Sequence, residues 1–199
     1  MSRDTLKLIL ALVAIAIGVG SMLSNRPVAR PPGVLAAEDP RQRALRGAEP
    51  LRHGDYALTP RAEFELEARV LSVERYRWDG GADLAPLDLA LGWGPMSDSA
   101  FLGHFKVTQG SRFYTLYPQG DGADLALALR HSANMHLIPA NDAVRRALGS
   151  ARAGQLVSLR GRLVDAERAD GFRWRTSLTR DDSGAGACEL VYVESAALR

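Results

Sequence analysis

The densest group of side chains with chemistry to offer lies in HSANMHLIPA, residues 131–140, where His131, Ser132, Asn134 and His136 bring imidazole, hydroxyl and amide together. A histidine beside a hydroxyl is the raw material of acyl transfer, and two histidines are the start of a metal site. The spacing supports neither. Residues five apart point to opposite faces of a strand, or about 140° apart on a helix, so His131 and His136 do not form the i, i+4 pair that grips zinc. Cys188 is the one cysteine and has no partner thiol for a closed zinc centre. No G-x-S-x-G elbow is present, and Cys188 opens an apolar strand, where a buried inert thiol is the normal occupant. The alternative reading of His131, Ser132, Asn134 and His136 is a turn whose polar groups satisfy nearby backbone. The sequence therefore names no catalytic residue, no metal ligand and no cofactor. An enzyme cleft at 131–136 stays open only as an alternative to binding or turn roles.

Arginine is the second chemistry-bearing pattern. Nine arginines fall between Arg145 and Arg180 against Asp165, Glu167 and Asp170, whereas 56–144 is net acidic. On strands, Arg160, Arg162, Arg173 and Arg175 are expected to share one outward face. Such a face can follow the phosphates of single-stranded nucleic acid if aromatics lie beside it. Phe172 and Trp174, however, alternate with the arginines and are expected to point inward as core. With a net charge of only +2 for the chain, nucleic acid is the less favoured partner; an acidic protein, anionic lipid or the acidic half of the same domain would serve as well.

The elements that must carry these residues are mostly strands. In 62–76, Phe64, Leu66, Ala68 and Val70 alternate with Glu63, Glu65, Glu67 and Arg69, the pattern of a half-buried strand. Leu71 and Val73 continue in the opposite phase, which predicts a bulge near Val70. Residues 83–94, DLAPLDLALGWG, are too punctuated for a long helix and too apolar for a free loop. Residues 105–117 predict one or two strands with a turn near Gly110. Asn141 is a good N-cap for a helix over 142–148, ended by Gly149. Strands are expected over 156–164, 172–179 and 188–193, joined by turns at 169–171 and 182–186, and a glycine within the first suggests a curled meander.

The stretch GQLVSLRGRLV followed by GFRWRTSLTRDDSGAGACELVYVE resembles the first three strands of an OB-type barrel over 153–194, a type that includes exported bacterial examples. DLALGWGPMSD, HSANMHLIPA and GACELVYVE together resemble an uncharacterised family of membrane-anchored bacterial proteins, with no established activity to carry over. The resemblance implies bacterial origin and anchored topology. The expected fold class is mainly β with a few short helices (α+β): a small antiparallel barrel, OB-like in its C-terminal part, preceded by one N-terminal transmembrane helix.

Four regions follow. Residues 1–7 form a short basic tail. The apolar run 8–23 would span about 24 Å as a helix, near the hydrocarbon thickness of about 30 Å, and reads as an uncleaved anchor, a cleaved signal being the alternative. No cysteine lies just after the run, the only one being Cys188, which excludes a lipoprotein. Residues 24–55, with Pro27, Pro31, Pro32, Pro40 and Pro50 among arginines, read as a semi-extended linker with a short helical stretch over 40–46. Residues 56–199 are expected to form one globular β-rich domain. Basic residues on both sides of the run leave its direction open; export is the preferred reading, which puts the domain in the periplasm at a bacterial inner membrane. The leading functional expectation is a membrane-tethered, non-enzymatic domain that binds a protein or envelope component. Oligomeric state is not legible.

Overall fold

A computed structural model describes residues 5–7, 9–13, 15, 26–179 and 188–199. The molecule is mainly β with a few short helices. The expected anchor at 8–23 and the turn at 182–186 fall partly or wholly outside the described residues. Residues 5–7, 9–13 and 15 are helical, with Leu10, Leu12 and Ile15 exposed. Among the described residues no helix is long and apolar enough to cross a membrane.

Ten strands run in chain order: β1 Arg41–Ala44, β2 Leu51–His53, β3 Tyr56–Arg75, β4 Leu87–Gly92, β5 Phe105–Gly110, β6 Phe113–Pro118, β7 Ser132–Pro139, β8 Leu156–Arg168, β9 Arg173–Trp174 and β10 Glu189–Leu198. A 3-10 turn, Gly94–Ser97, leads into helix α1 Ser99–Leu102; α2 is Leu125–Arg130 and α3 is Asp142–Gly149. The main sheet has the order β1-β3-β4-β7-β10-β8-β9, with β2 on β3 and a further ladder between β3 and β8. All pairings are antiparallel except β7 with β10. β5 and β6 form a separate hairpin.

β3 is the hub. Its alternating residues Ala62, Phe64, Leu66, Ala68 and Val70 enter the largest core cluster with Leu87, Leu89 and Leu91 of β4, Met135 and Leu137 of β7, and Val191 and Val193 of β10. The expected bulge is present: the β3–β4 register shifts between Val70 and Ser72. It separates the two apolar residues beyond it, Leu71 packing under the β5–β6 hairpin and Val73 returning to the main core. Asn141 caps α3, its side chain accepting from Val144 N, and Val144 and Leu148 close the main core from below. Gly161 is fixed by crowding: a Cβ there would lie 2.0 Å from the backbone oxygen of Tyr192.

The opposite face of β4, β7 and β10 is covered as well. Ala90 lies beneath the hairpin with Phe105 and Leu116. Ile138 and Leu190 pack with Leu58, Leu84, Val164 and Ala166. This double cover makes every residue of β4 buried and accounts for its apolar character, broken only by Asp88.

Several expectations change. Residues 41–44 form β1 on β3 rather than a helical stretch. The strand expected over 172–179 is only Arg173–Trp174, paired with β8. The segment HSANMHLIPA is not a turn: Ser132–Pro139 is a strand between β4 and β10. Much of the linker is held against the domain, Ala36 being buried and Val28 N donating to Ala153 O.

Candidate functional site

Strand alternation decides which polar residues meet. Leu87, Leu89 and Leu91 face the main core, so Asp88 projects to the other face, directly across from His136 on β7. Asp88 and His136 are almost wholly buried, and His136 Nδ1 lies 2.9 Å from Asp88 Oδ2. The contact is close in distance but not aligned as a hydrogen bond. On its other side the imidazole packs on Trp174, with ring centroids 4.6 Å apart.

Arg112 supplies the balancing cation. It sits at the tip of the β5–β6 hairpin, where Ser111 and Arg112 both adopt left-handed φ, at 50° and 70°. Such angles suit a tight two-residue turn but cost energy for residues with a side chain. The guanidinium is bonded from every side. Nη1 donates to Asp88 Oδ1 at 2.9 Å and to Ala85 O at 2.7 Å, while Nε and Nη2 grip the two oxygens of Asp79, each at 2.7 Å. Its plane lies 3.6 Å from the Tyr76 ring centroid, and Tyr76 Oη accepts from Arg112 N. Burial works against the Arg112 charge, yet Asp79 and Asp88 outweigh it and raise its pKa. The same fork holds the Asp79 carboxyl below its usual range. Burial pushes the Tyr76 hydroxyl up to about 12.

Asn134, two residues before His136 on the same face, completes the seam. Its Nδ2 donates to Arg112 O at 3.0 Å and its Oδ1 accepts from Gln109 Nε2 at 2.6 Å. Cys188 is half-buried beside it, with Sγ 3.9 Å from both Asn134 Nδ2 and Arg112 O. Asp88, Asn134, His136, Arg112 and Trp174 thus form one polar seam between two apolar patches.

Of the residues singled out from sequence, the structure brings Asn134 and His136 into this seam and separates the others from it. His131 caps α2 with Nδ1 2.9 Å from Leu127 O. Ser132 Oγ donates to Ala128 O at 2.7 Å and lies 3.1 Å from Tyr114 Oη, so its hydroxyl is committed to local structure. Among the described residues no cluster of three or more His, Cys, Asp or Glu is placed to hold a metal ion.

The four arginines do not make one face. Arg173 sits opposite Glu167 in the β8–β9 ladder, an odd number of residues from Arg160 and Arg162 on β8, so the two pairs lie on opposite sides of that strand. Each is also neutralised. Arg160 meets Glu65 at 2.9 Å, Arg162 meets Glu194 at 3.2 Å, and Arg173 meets Glu167 at 4.0 Å. Arg175 bridges Asp165 and Glu167 at 2.8 and 3.2 Å. These arginines therefore contact carboxylates of the same domain, Arg160 one in the acidic half at Glu65 and the other three carboxylates of the C-terminal half itself. Phe172 and Trp174 pack against a core cluster, as their alternation implied.

Sequence reasoning missed Arg112 and Tyr76, and gave Asp88 no role. Asp88 carried a signal: a carboxylate inside the apolar run LDLAL must be buried with a partner if that run is a covered strand. Away from the seam, a surface groove of about 480 Å³ is lined by Glu38, Asp39, Glu65, Glu67, Arg41 and Arg160 among others.

No family model, curated protein or solved structure matches the chain.

Proposed function

We propose that this chain is a membrane-tethered, non-enzymatic binding domain of OB type, acting on a protein or envelope component at the periplasmic face of a bacterial inner membrane. The OB assignment draws support from connectivity. β3, β4 and β7 form an antiparallel meander, α3 follows, β8 pairs with β3, and β10 runs parallel to β7 and antiparallel to β8. In that assignment β8 and β10 take the fourth and fifth positions, rather than the C-terminal segment supplying the first three strands.

OB folds commonly take ligands on the face of their second and third strands. Here that face belongs to β4 and β7, and the chain's own β5–β6 hairpin covers it, pinned by Arg112. The observation that carries the reading is a set of exposed aromatics: Phe113 and Tyr117 on this hairpin are 46% and 52% exposed, and Trp78, in the β3–β4 connection one residue before the Asp79 that grips Arg112, is 95% exposed. Aromatic side chains on a rigid support are typical anchors of protein interfaces. The seam itself speaks against an enzyme, because its charged groups are spent on one another. The paired arginines speak against nucleic acid.

A photo-crosslinking residue placed at Tyr117 in the intact chain, in its native membrane, is expected to trap one discrete partner, whereas the same residue at Arg160 is not. Phe113→Ala with Trp78→Ala should abolish the Tyr117 adduct. An adduct that survives the double substitution, or that forms equally from Arg160, would refute this face as the binding surface.

A further inference from the structure

Residues 28–36, shortly beyond the apolar run, are clipped to one end of the domain. Val28 N donates to Ala153 O at 2.8 Å, and Arg30 donates from Nε to Gly154 O and from Nη2 to Arg199 O. Gly33 N donates to Asp98 Oδ1, and Leu35 N and Ala36 N share Ser97 Oγ. Gly154, at φ 87°, lies so close that a Cβ there would fall 1.9 Å from Val28 O. Only residues 24–27 separate the apolar run 8–23 from this clip. Four residues reach at most about 14 Å, so a domain attached this way cannot stand far from the bilayer that holds the run.

The clipped end carries more arginine than carboxylate. Arg26, Arg30 and Arg152 form no ion pair with a side-chain carboxylate among the described residues, Arg69 is attracted by Asp98, and Arg199 pairs with Glu67. Arg69 is 7% exposed; its Nη1 bonds Ser97 O and Ser99 Oγ, and its buried Nε has no partner. Ser99 Oγ in turn donates to Arg30 O, which brings the two arginines to one place. At the far end of β8, by contrast, Arg168 is matched by Asp83 and Asp170. Thirteen residues of strand put that end about 40 Å away.

We infer that this strapped end rests on the headgroups of anionic phospholipid, with Arg26, Arg30 and Arg152 at lipid phosphates and the domain thereby held in one orientation. Juxtamembrane arginines are attracted to a negative leaflet only within about a Debye length, roughly 8 Å at physiological salt, and the short connection keeps these within that reach. The inference rests on the tethered reading above.

The test uses the full chain reconstituted into vesicles of phosphatidylcholine alone or mixed with phosphatidylglycerol. Flotation with both reports the tether, and hydrogen exchange then reports the docking. The expected result is several-fold slower exchange at 28–36 and 150–155 on the anionic vesicles, no change at 169–172, reversal by high salt, and loss of the effect in Arg26→Glu with Arg152→Glu. Equal exchange on both vesicles despite flotation overturns the docking and leaves the tether. Slowing reproduced by inorganic phosphate on neutral vesicles also overturns it, in favour of a free anion. Failure to float with either vesicle overturns tether and docking together.

Discussion

Replacing Arg112 by methionine tests whether the polar seam fastens the hairpin to the sheet. Methionine keeps an apolar stem over Tyr76 but removes the bonds to Asp79, Asp88 and Ala85 O and the guanidinium that stacks 3.6 Å from the Tyr76 centroid. The Asp79 contacts are partly solvated and contribute no more than about 1 kcal/mol. Asp88 is different: its side chain is 0% exposed, and without Arg112 its charge is left with His136 alone. Breaking a buried pair from one side costs about 3–5 kcal/mol, equivalent to roughly 6–20 °C in Tm for a domain of this size. Urea unfolding of the detergent-solubilised full chain, followed by tryptophan fluorescence, measures the loss, Trp174 lying 5.3 Å from Arg112. Asp88→Asn in the Arg112→Met background should recover much of it, because the stranded charge is gone. A single-variant loss under about 1 kcal/mol, or a second substitution that only adds damage, would refute the account.

Further outcomes follow from other contacts. Trp174→Ala should cost about 2–3 kcal/mol by urea unfolding, less than a fully buried tryptophan, since the ring is half-buried on His136 and Gly81; a cost near zero would place that ring outside the packing. Gly161→Ala forces a Cβ against Tyr192 O and should leave little folded protein at 37 °C by circular dichroism, with a wild-type melt as the contrary result. Burial disfavours the Asp165 carboxylate, but Arg175, Thr176 N and Arg61 outweigh that and lower its pKa. Its stabilisation is therefore present above about pH 4 and lost as pH falls through the depressed folded value. Asp165→Asn should flatten the acid side of a stability–pH curve, and an unchanged slope there would count against the assignment.

What was readable in the sequence was what alternates or caps. β3 announced itself through Phe64, Leu66, Ala68 and Val70, with its bulge, and Asn141 through its capping chemistry. β4 and β7 were opaque because both their faces are covered, one of them by a hairpin drawn from elsewhere in the chain. No period marks a strand that is buried on both sides, and Ser132, Asn134 and His136 then look like turn residues. The strap at 28–36 reads in the sequence as part of a semi-extended linker because its anchoring groups, Ser97, Asp98 and the Ala153–Gly154 backbone, lie in other segments. Arg112 was invisible for the same reason: its role depends on Asp79 and Asp88, 33 and 24 residues away.

The long ladder between β3 and β8 also sets when this domain can fold. Its outermost pair, Tyr56 and Arg168, also bonded through their side chains, is 112 residues apart in the chain. Closing so large a loop costs entropy before any contact repays it, and folds dominated by such pairings form in milliseconds to seconds rather than microseconds. β3 is synthesised early yet cannot complete its hydrogen bonding until β8 has emerged. During that interval the nascent chain carries a 20-residue strand with an open edge, the state in which it is most exposed to mispairing and to capture by a chaperone.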